Sequence, residues 1–252
     1  FRECGKLASV TMQDSSVTDI GEYAFSDCTS LTSIALPDSA EGIGKRAFQN
    51  CSKLASITMQ NCSLASIGEY AFYGCTGLAG INIPDSLTII GRGVFSGCSS
   101  LVSVTVPDSV TRIEGFTFYN CTSLTSIVIP NSVAFIGEGT FRDCSSLANI
   151  TLSNTLASIE NNTFRNCTSL TRILIPYSVQ SIGDYAFYGC TNLEDVSLPD
   201  GITIGTAAFD NCPNLMITSI IDTTPPTAPV SMLLSPVDWE SGDVAISVLG
   251  AT

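Results

Sequence analysis

Apolar residues fall on a lattice along this chain. Leu, then Ile or Val, then an aliphatic residue or Met recur three, six and eight positions after a repeated cysteine, as in Leu124, Ile127 and Ile129 after Cys121. The Leu is present in all ten units, from Leu7 and Leu31 to Leu193 and Leu215. Ile or Val holds the plus-six place in nine of ten, with Thr218 the exception. The plus-six and plus-eight residues share one face of an extended segment and plus-seven takes the other, so LTSIVI and its equivalents predict a short strand with one apolar face. Pro37, Pro84, Pro107, Pro130, Pro176 and Pro199 follow it, and a residue with no backbone donor ends a strand there.

The second half of each unit has its own columns. An Ile recurs (Ile20, Ile43, Ile67, Ile90, Ile113, Ile136, Ile159, Ile182, Ile204), and Gly follows it in seven of the nine. That Gly is expected to supply a turn with positive φ. A GEYAF-type segment then leads back along the other wall, as a short strand or a 3₁₀ turn. Its Phe is expected to plug the core. The Phe column reads Phe1, Phe25, Phe48, Phe72, Phe95, Phe118, Phe141, Phe164, Phe187 and Phe209.

Ten of the eleven cysteines mark the period, at intervals of 22 to 24 residues from Cys4 to Cys212. One such unit has an apolar side and nothing to bury it against. Stacking the units buries each column against its own copies. Strands stacked this way sit ~4.8 Å apart in a parallel sheet, and the two end rungs need capping.

The pattern C-x-x-L-x-x-I-x-[IL]-P-x-S-[VL]-x-x-I-G-x-x-A-F resembles the BspA-type leucine-rich repeat of bacterial and protozoal surface proteins, over residues 1 to about 221. The expected fold class is an α/β-type solenoid, mostly β: a right-handed leucine-rich-repeat stack of about ten 23-residue rungs with a parallel concave sheet. The resemblance implies a secreted or surface-anchored protein that binds proteins or matrix, often as an adhesin, with no shared catalytic residues. Phe1 already stands in the Phe column, so the sequence is expected to start inside a rung, from a longer protein or with earlier rungs missing. Residues 222–229 read as a Pro/Thr linker. Residues 230–252 alternate like a β-hairpin. They resemble the start of a bacterial immunoglobulin-like module through Ser235, Pro236, Trp239, Gly242, Asp243 and Val244. A whole module needs ~100 residues, so this is expected to be a fragment.

Composition narrows the chemistry. With 44% hydrophobic and 13% charged residues, the 252-residue chain has ample material for a core and is not disordered by composition. No apolar run reaches the ~18 residues of a membrane helix, so no membrane insertion is expected. Ten Lys and Arg against 23 Asp and Glu, a net charge of −13, argue against nucleic acid as partner. Histidine is absent, which removes Ser-His-Asp and Cys-His triads and HExxH zinc sites.

The lattice cysteines are expected to be buried free thiols. Stacked neighbours have parallel side-chain directions, whereas a disulfide needs converging ones with Cβ atoms ~3.8 Å apart. Free thiols are unusual in an exported protein; deep burial explains them, and cytosolic residence is the competing account. Cys62 lies off the lattice and is expected to be the exposed thiol. No two cysteines sit two to four apart, so no zinc or other metal is expected, and no cofactor. Asp238, Glu240 and Asp243 lack calcium-loop spacing and read as a solvated turn.

The outward strand columns are small and hydroxyl-rich, as in Ser33, Ser56, Ser103 and Ser126 or Thr58, Thr105 and Thr151. Arg172, Leu174, Glu194 and Asp195 break this monotony, with Tyr177 just past the strand, and form a candidate binding patch. In the plainer reading, Arg172 and Asp195 are an ordinary surface ion pair worth under ~1 kcal/mol. Tyr23, Tyr70, Tyr73, Tyr119, Tyr185 and Tyr188 gather on the returning wall. They are expected to lie half-buried along its edge, or to serve a partner as a stripe. The function expected is non-catalytic interaction, of adhesion type, with a protein or extracellular-matrix ligand at the cell surface or outside the cell. The alternative is a targeting or spacer domain of a larger surface-anchored enzyme. A cysteine-dependent enzyme would require an exposed, acidic thiol.

Overall fold

A computed structural model describes residues 1–12, 16–59 and 62–220. The chain separates into a unit Phe1–Ile221 and a unit Asp222–Thr252, and all described residues belong to the first. The linker expected over 222–229 and the hairpin over 230–252, with its three carboxylates, lie outside the described residues.

The described residues form strands and turns with no helix, an all-β parallel solenoid rather than an α/β one. One wall carries the strands Ser9–Val10, Ser33–Ala35, Ser56–Thr58, Gly80–Ile81, Ser103–Val104, Ser126–Val128, Asn149–Thr151, Arg172–Leu174, Asp195–Pro199 and Met216–Ile220. A second wall carries Asp19–Ile20, Gly42–Ile43, Ser66–Ile67, Ile89–Ile90, Arg112–Ile113, Phe135–Ile136, Ser158–Ile159, Ser181–Ile182 and Thr203–Ile204. Every pairing is parallel and, the last rung excepted, joins equivalent positions, such as Ile34 with Ile57 or Ile43 with Ile67. The central residue of a three-residue strand points inward and its neighbours outward, as the apolar spacing predicts.

The segment from Gly to Cys closes the rung as a run of turns, neither strand nor 3₁₀ helix. Its N–H groups alternate between two kinds of acceptor. Ala24, Ser26 and Cys28 bond back to Gly21, Tyr23 and Phe25 within the rung. Tyr23, Phe25 and Asp27 bond forward to Lys45, Ala47 and Gln49 of the next. The same alternation recurs from rung to rung and leaves these buried backbone donors paired. It requires left-handed backbone at two columns. One precedes each lattice cysteine and holds Glu3 in the first rung and then Asp27, Asn50, Gly74, Gly97, Asn120, Asp143, Asn166, Gly189 and Asn211, so that every rung after the first uses a residue type that tolerates that region well.

The Gly after the recurrent Ile has a different reason from the one its sequence position suggests. Gly44, Gly68 and Gly91 do not have positive φ. A Cβ at Gly68 would lie 2.6 Å from the Lys45 backbone nitrogen and one at Gly91 2.7 Å from that of Glu69. These glycines let adjacent rungs approach. The Thr218 exception also resolves. In the last rung Ile217, not Thr218, pairs with Val196, so the strand slips by one against the cysteine lattice and an aliphatic residue regains the inward column.

The Phe rings form one column down the core, ten rings with centroids 5.1–5.7 Å apart and nearly parallel planes. Leu101 and Phe118, like their equivalents in the interior rungs, are fully buried. Removing one ring leaves a cavity that its stacked neighbours cannot fill, because their backbones are held in register. Phe118→Ala is therefore expected to cost about 3–5 kcal/mol in denaturant unfolding. Val128→Ala, on an outward position of the same solenoid, is expected to change stability by no more than about 0.5 kcal/mol. Equal effects would contradict the core assignment.

Candidate interaction surfaces

The strand wall presents the outward columns to solvent. Ser56, Thr58, Gly80, Asn82, Ser103 and Thr105 line a shallow depression of about 320 Å³. A second, of about 290 Å³, runs over Ser126, Val128, Asn149, Thr151, Arg172 and Leu174. The first is floored by small hydroxyl and amide groups. The second is rimmed by two apolar side chains that solvent covers poorly, Val128 (64% exposed) and Leu174 (65% exposed).

Of the candidate patch, the structure brings Arg172 and Asp195 side by side as register partners, with Leu174 beside Ser197. The expected ion pair is not formed: among the described residues Arg172 makes no salt bridge, and Asp195 Oδ1 instead accepts from the Thr218 hydroxyl at 3.2 Å. Glu194 and Tyr177 are exposed. Met216, the register partner of Asp195, is exposed as well and extends the patch by one rung. The slip in the last rung hid it, because counting from Cys212 puts Met216 one position out of the column.

The returning wall is richer than its tyrosines suggest. Five of the seven arginines stand over its aromatic rings. Arg46 lies between Tyr23 and Tyr70, 5.7 and 5.5 Å from their centroids, and its Nη1 donates to the Tyr23 hydroxyl at 3.0 Å. Arg92 covers Phe116 at 4.6 Å, Arg142 covers Tyr119, and Arg165 covers Tyr185 and Tyr188. Within a rung the rings meet edge to face, as Tyr70–Tyr73, Phe116–Tyr119 and Tyr185–Tyr188. Tyr23, Tyr70, Tyr119 and Tyr188 are half-buried as expected, while Tyr73 and Tyr185 are exposed. The arginines carried a legible signal: Arg46 occupies the column of Tyr23 and Tyr70, and Arg142 and Arg165 that of Tyr73 and Tyr119.

All cysteines of the described residues are free thiols. Each lattice Sγ from Cys28 to Cys212 donates to the Phe carbonyl one rung back, at 3.0–3.2 Å, as Cys51 to Phe25 and Cys144 to Phe118. Burial pushes the thiols of Cys51, Cys98 and Cys144 up to about 12 from the ordinary 9.0. It raises those of Cys75, Cys121, Cys167 and Cys190 as well. These are neutral packing groups, the opposite of an activated nucleophile. Cys62 is not the exposed thiol. It is 7% exposed and its Sγ donates to the Met59 carbonyl at 3.1 Å, and burial raises its thiol above the ordinary value. The exposed thiol is Cys4, in the first rung.

The chain matches the family pattern described as BspA type leucine rich repeat region, in six copies, over residues 1–125 and 111–224. No characterised protein matches it. Among solved structures, it is similar to a leucine rich cell surface protein of Faecalibacterium prausnitzii, with 28% identity, 88% of this chain and 76% of that one covered, and a TM-score of 0.54. It is also similar to the pneumococcal vaccine antigen PcpA, with 25% identity, 80% and 56% covered, and a TM-score of 0.63. A leucine rich repeat protein of T. pallidum aligns at 31% identity over 82% of this chain and 77% of that one, with a TM-score of 0.48.

The thiol geometry gives two expected outcomes. A thiol reagent added to the folded protein labels Cys4 first, and labelling of Cys62 at the same rate contradicts the buried placement. Stability also falls as pH rises above 9. The unfolded chain's thiols then ionise while the folded ones stay protonated, so the contribution is full below the ordinary value and lost towards the raised one. Each of Cys51, Cys98 and Cys144 is expected to account for ~1.4 kcal/mol per pH unit over that window. Denaturant unfolding followed from about pH 8 to about pH 11 measures it, and Cys98→Ala should flatten the slope by one thiol's share.

Proposed function

Because the chain belongs to the BspA-type leucine-rich repeat family, we propose that it is a non-catalytic interaction protein of the cell surface or secreted space, of adhesion type, holding a protein or matrix partner against its strand wall. The observation that carries this reading is the depression between Val128 and Leu174, with Arg172 at its edge. Apolar side chains left open to solvent, beside an arginine that makes no salt bridge among the described residues, are what a protein interface buries at its centre. The strand that carries Val128 pairs with Asn149–Thr151 and the strand that carries Leu174 pairs with Asp195–Pro199, so each side chain stands on backbone already held in a parallel ladder and little ordering cost falls on binding.

The wall offers no activated group. The polar side chains of its two depressions are hydroxyls, amides and Arg172, and the lattice thiols from Cys28 to Cys190 are buried. The surface location is supported by the F. prausnitzii structure, described as that of a cell surface protein. No helix of the described residues is long and apolar enough to cross a membrane.

A panel of immobilised extracellular-matrix proteins tests the reading. At least one should bind, and Leu174→Asp or Arg172→Glu should weaken that binding by about tenfold or more, equivalent to about 1.4 kcal/mol, with an unchanged unfolding midpoint. A partner that ignores both substitutions, or the absence of any partner, overturns it.

A further inference from the structure

One rung interrupts the aromatic wall. At the two columns where its neighbours carry Tyr70 and Tyr73 on one side and Phe116 and Tyr119 on the other, the rung ending at Cys98 carries Gly93 and Ser96. Tyr70 leans across Gly93, where a Cβ would strike its ring. The two aromatic pairs, each an edge-to-face contact at 6.0 Å, stand two rung steps apart. Those steps are 5.7 and 5.6 Å in the Phe column beneath. Between them lies a cleft of about 250 Å³ lined by Tyr70, Tyr73, Arg92, Ser96, Phe116 and Tyr119.

Two polar groups line this cleft. Ser96 is 2% exposed, and the cleft opens beside it. Its counterpart Ser26, in the same column, donates to the Asp27 carboxylate at 2.6 Å. The residue after Ser96 is Gly97, which has no side-chain acceptor to offer. Arg92 stacks on Phe116 and makes no salt bridge among the described residues, although its charge helps to hold the Glu69 carboxyl below its ordinary value, after the larger effect of Lys45. A guanidinium stacked by its face keeps its in-plane N–H donors for a planar acid.

We propose that this cleft is a binding subsite for an acidic sugar, a uronate residue of a polysaccharide. The C–H face of the pyranose lies against a tyrosine ring, its hydroxyls pair with Ser96 on the floor, and its carboxylate takes the Arg92 fork. A sugar ring meets the site's three demands together, because it is apolar on its faces and polar around its whole edge. An aromatic peptide side chain would cover Ser96 with an apolar edge and leave a buried hydroxyl unpaired. A neutral sugar would leave Arg92 without its acid. The negative chain as a whole opposes an anionic ligand, so the affinity is modest and falls with salt. The site lies off the strand wall and does not rest on the reading above.

Calorimetric titration of the whole chain with a tetragalacturonide and a hyaluronan tetrasaccharide tests this, with a neutral glucose tetramer and a Tyr/Glu peptide as comparators. At least one uronate oligomer should bind and the neutral oligomer at least about tenfold more weakly. Arg92→Gln, an exposed position, should weaken the uronate about tenfold or more, and Ser96→Ala about threefold or more. Lys53→Gln, which removes an exposed cation outside both surfaces, should bind as the parent does. No uronate binding, equal binding of the neutral oligomer, indifference to Arg92→Gln, or preference for the peptide would each overturn the proposal.

Discussion

Everything in this molecule depends on backbone hydrogen bonds that join each rung to its equivalent place in the next. The carbonyl of Phe25 shows how tightly this is drawn: it accepts the Cys28 amide of its own rung and the Cys51 thiol of the following one. The ring attached to that carbonyl lies 5.3 Å from the ring of Phe48. A register held this way forces every inward residue to pack on a copy of itself. That explains why Leu, Ile, Phe and Cys recur without substitution while outward residues vary.

That constraint also decides what could be read in advance. The inward columns were legible because burial and periodicity act on the same residues: Leu124, Ile127 and Phe118 lie where their spacing puts them. The turns were less legible. Gly68 looks like a turn residue but is set by the close approach of another rung, which no local pattern encodes. The left-handed positions fall instead on residues such as Asn50 and Asp143. Cys62 misled because counting along the lattice says where an insertion occurs, not which side of it faces water.

The candidate surfaces were legible in proportion to their dependence on the lattice. Arg172 and Asp195 were placed side by side correctly because they share a column, yet their side chains do not pair, a matter of rotamer and of Thr218 nearby. The columns of the returning wall place Arg46, Arg142 and Arg165 among its tyrosines, but only the stacking shows which rings the arginines cover, as Arg46 with Tyr70, Arg92 with Phe116 and Arg165 with Tyr188. A low-charge strand wall and an arginine-lined aromatic wall give one repeat two chemically different faces. This division is compatible with the interaction role proposed above.

The central claim is that equivalent rungs are bonded through the Phe column. Hydrogen exchange at the amides of Phe48, Phe72, Phe95, Phe118, Phe141 and Phe164 tests it most directly, since each donates to a carbonyl in the following rung. The account predicts strong and similar protection at all six, released together with global unfolding. Exchange of the Phe95 or Phe118 amide as fast as in an unstructured peptide would contradict it.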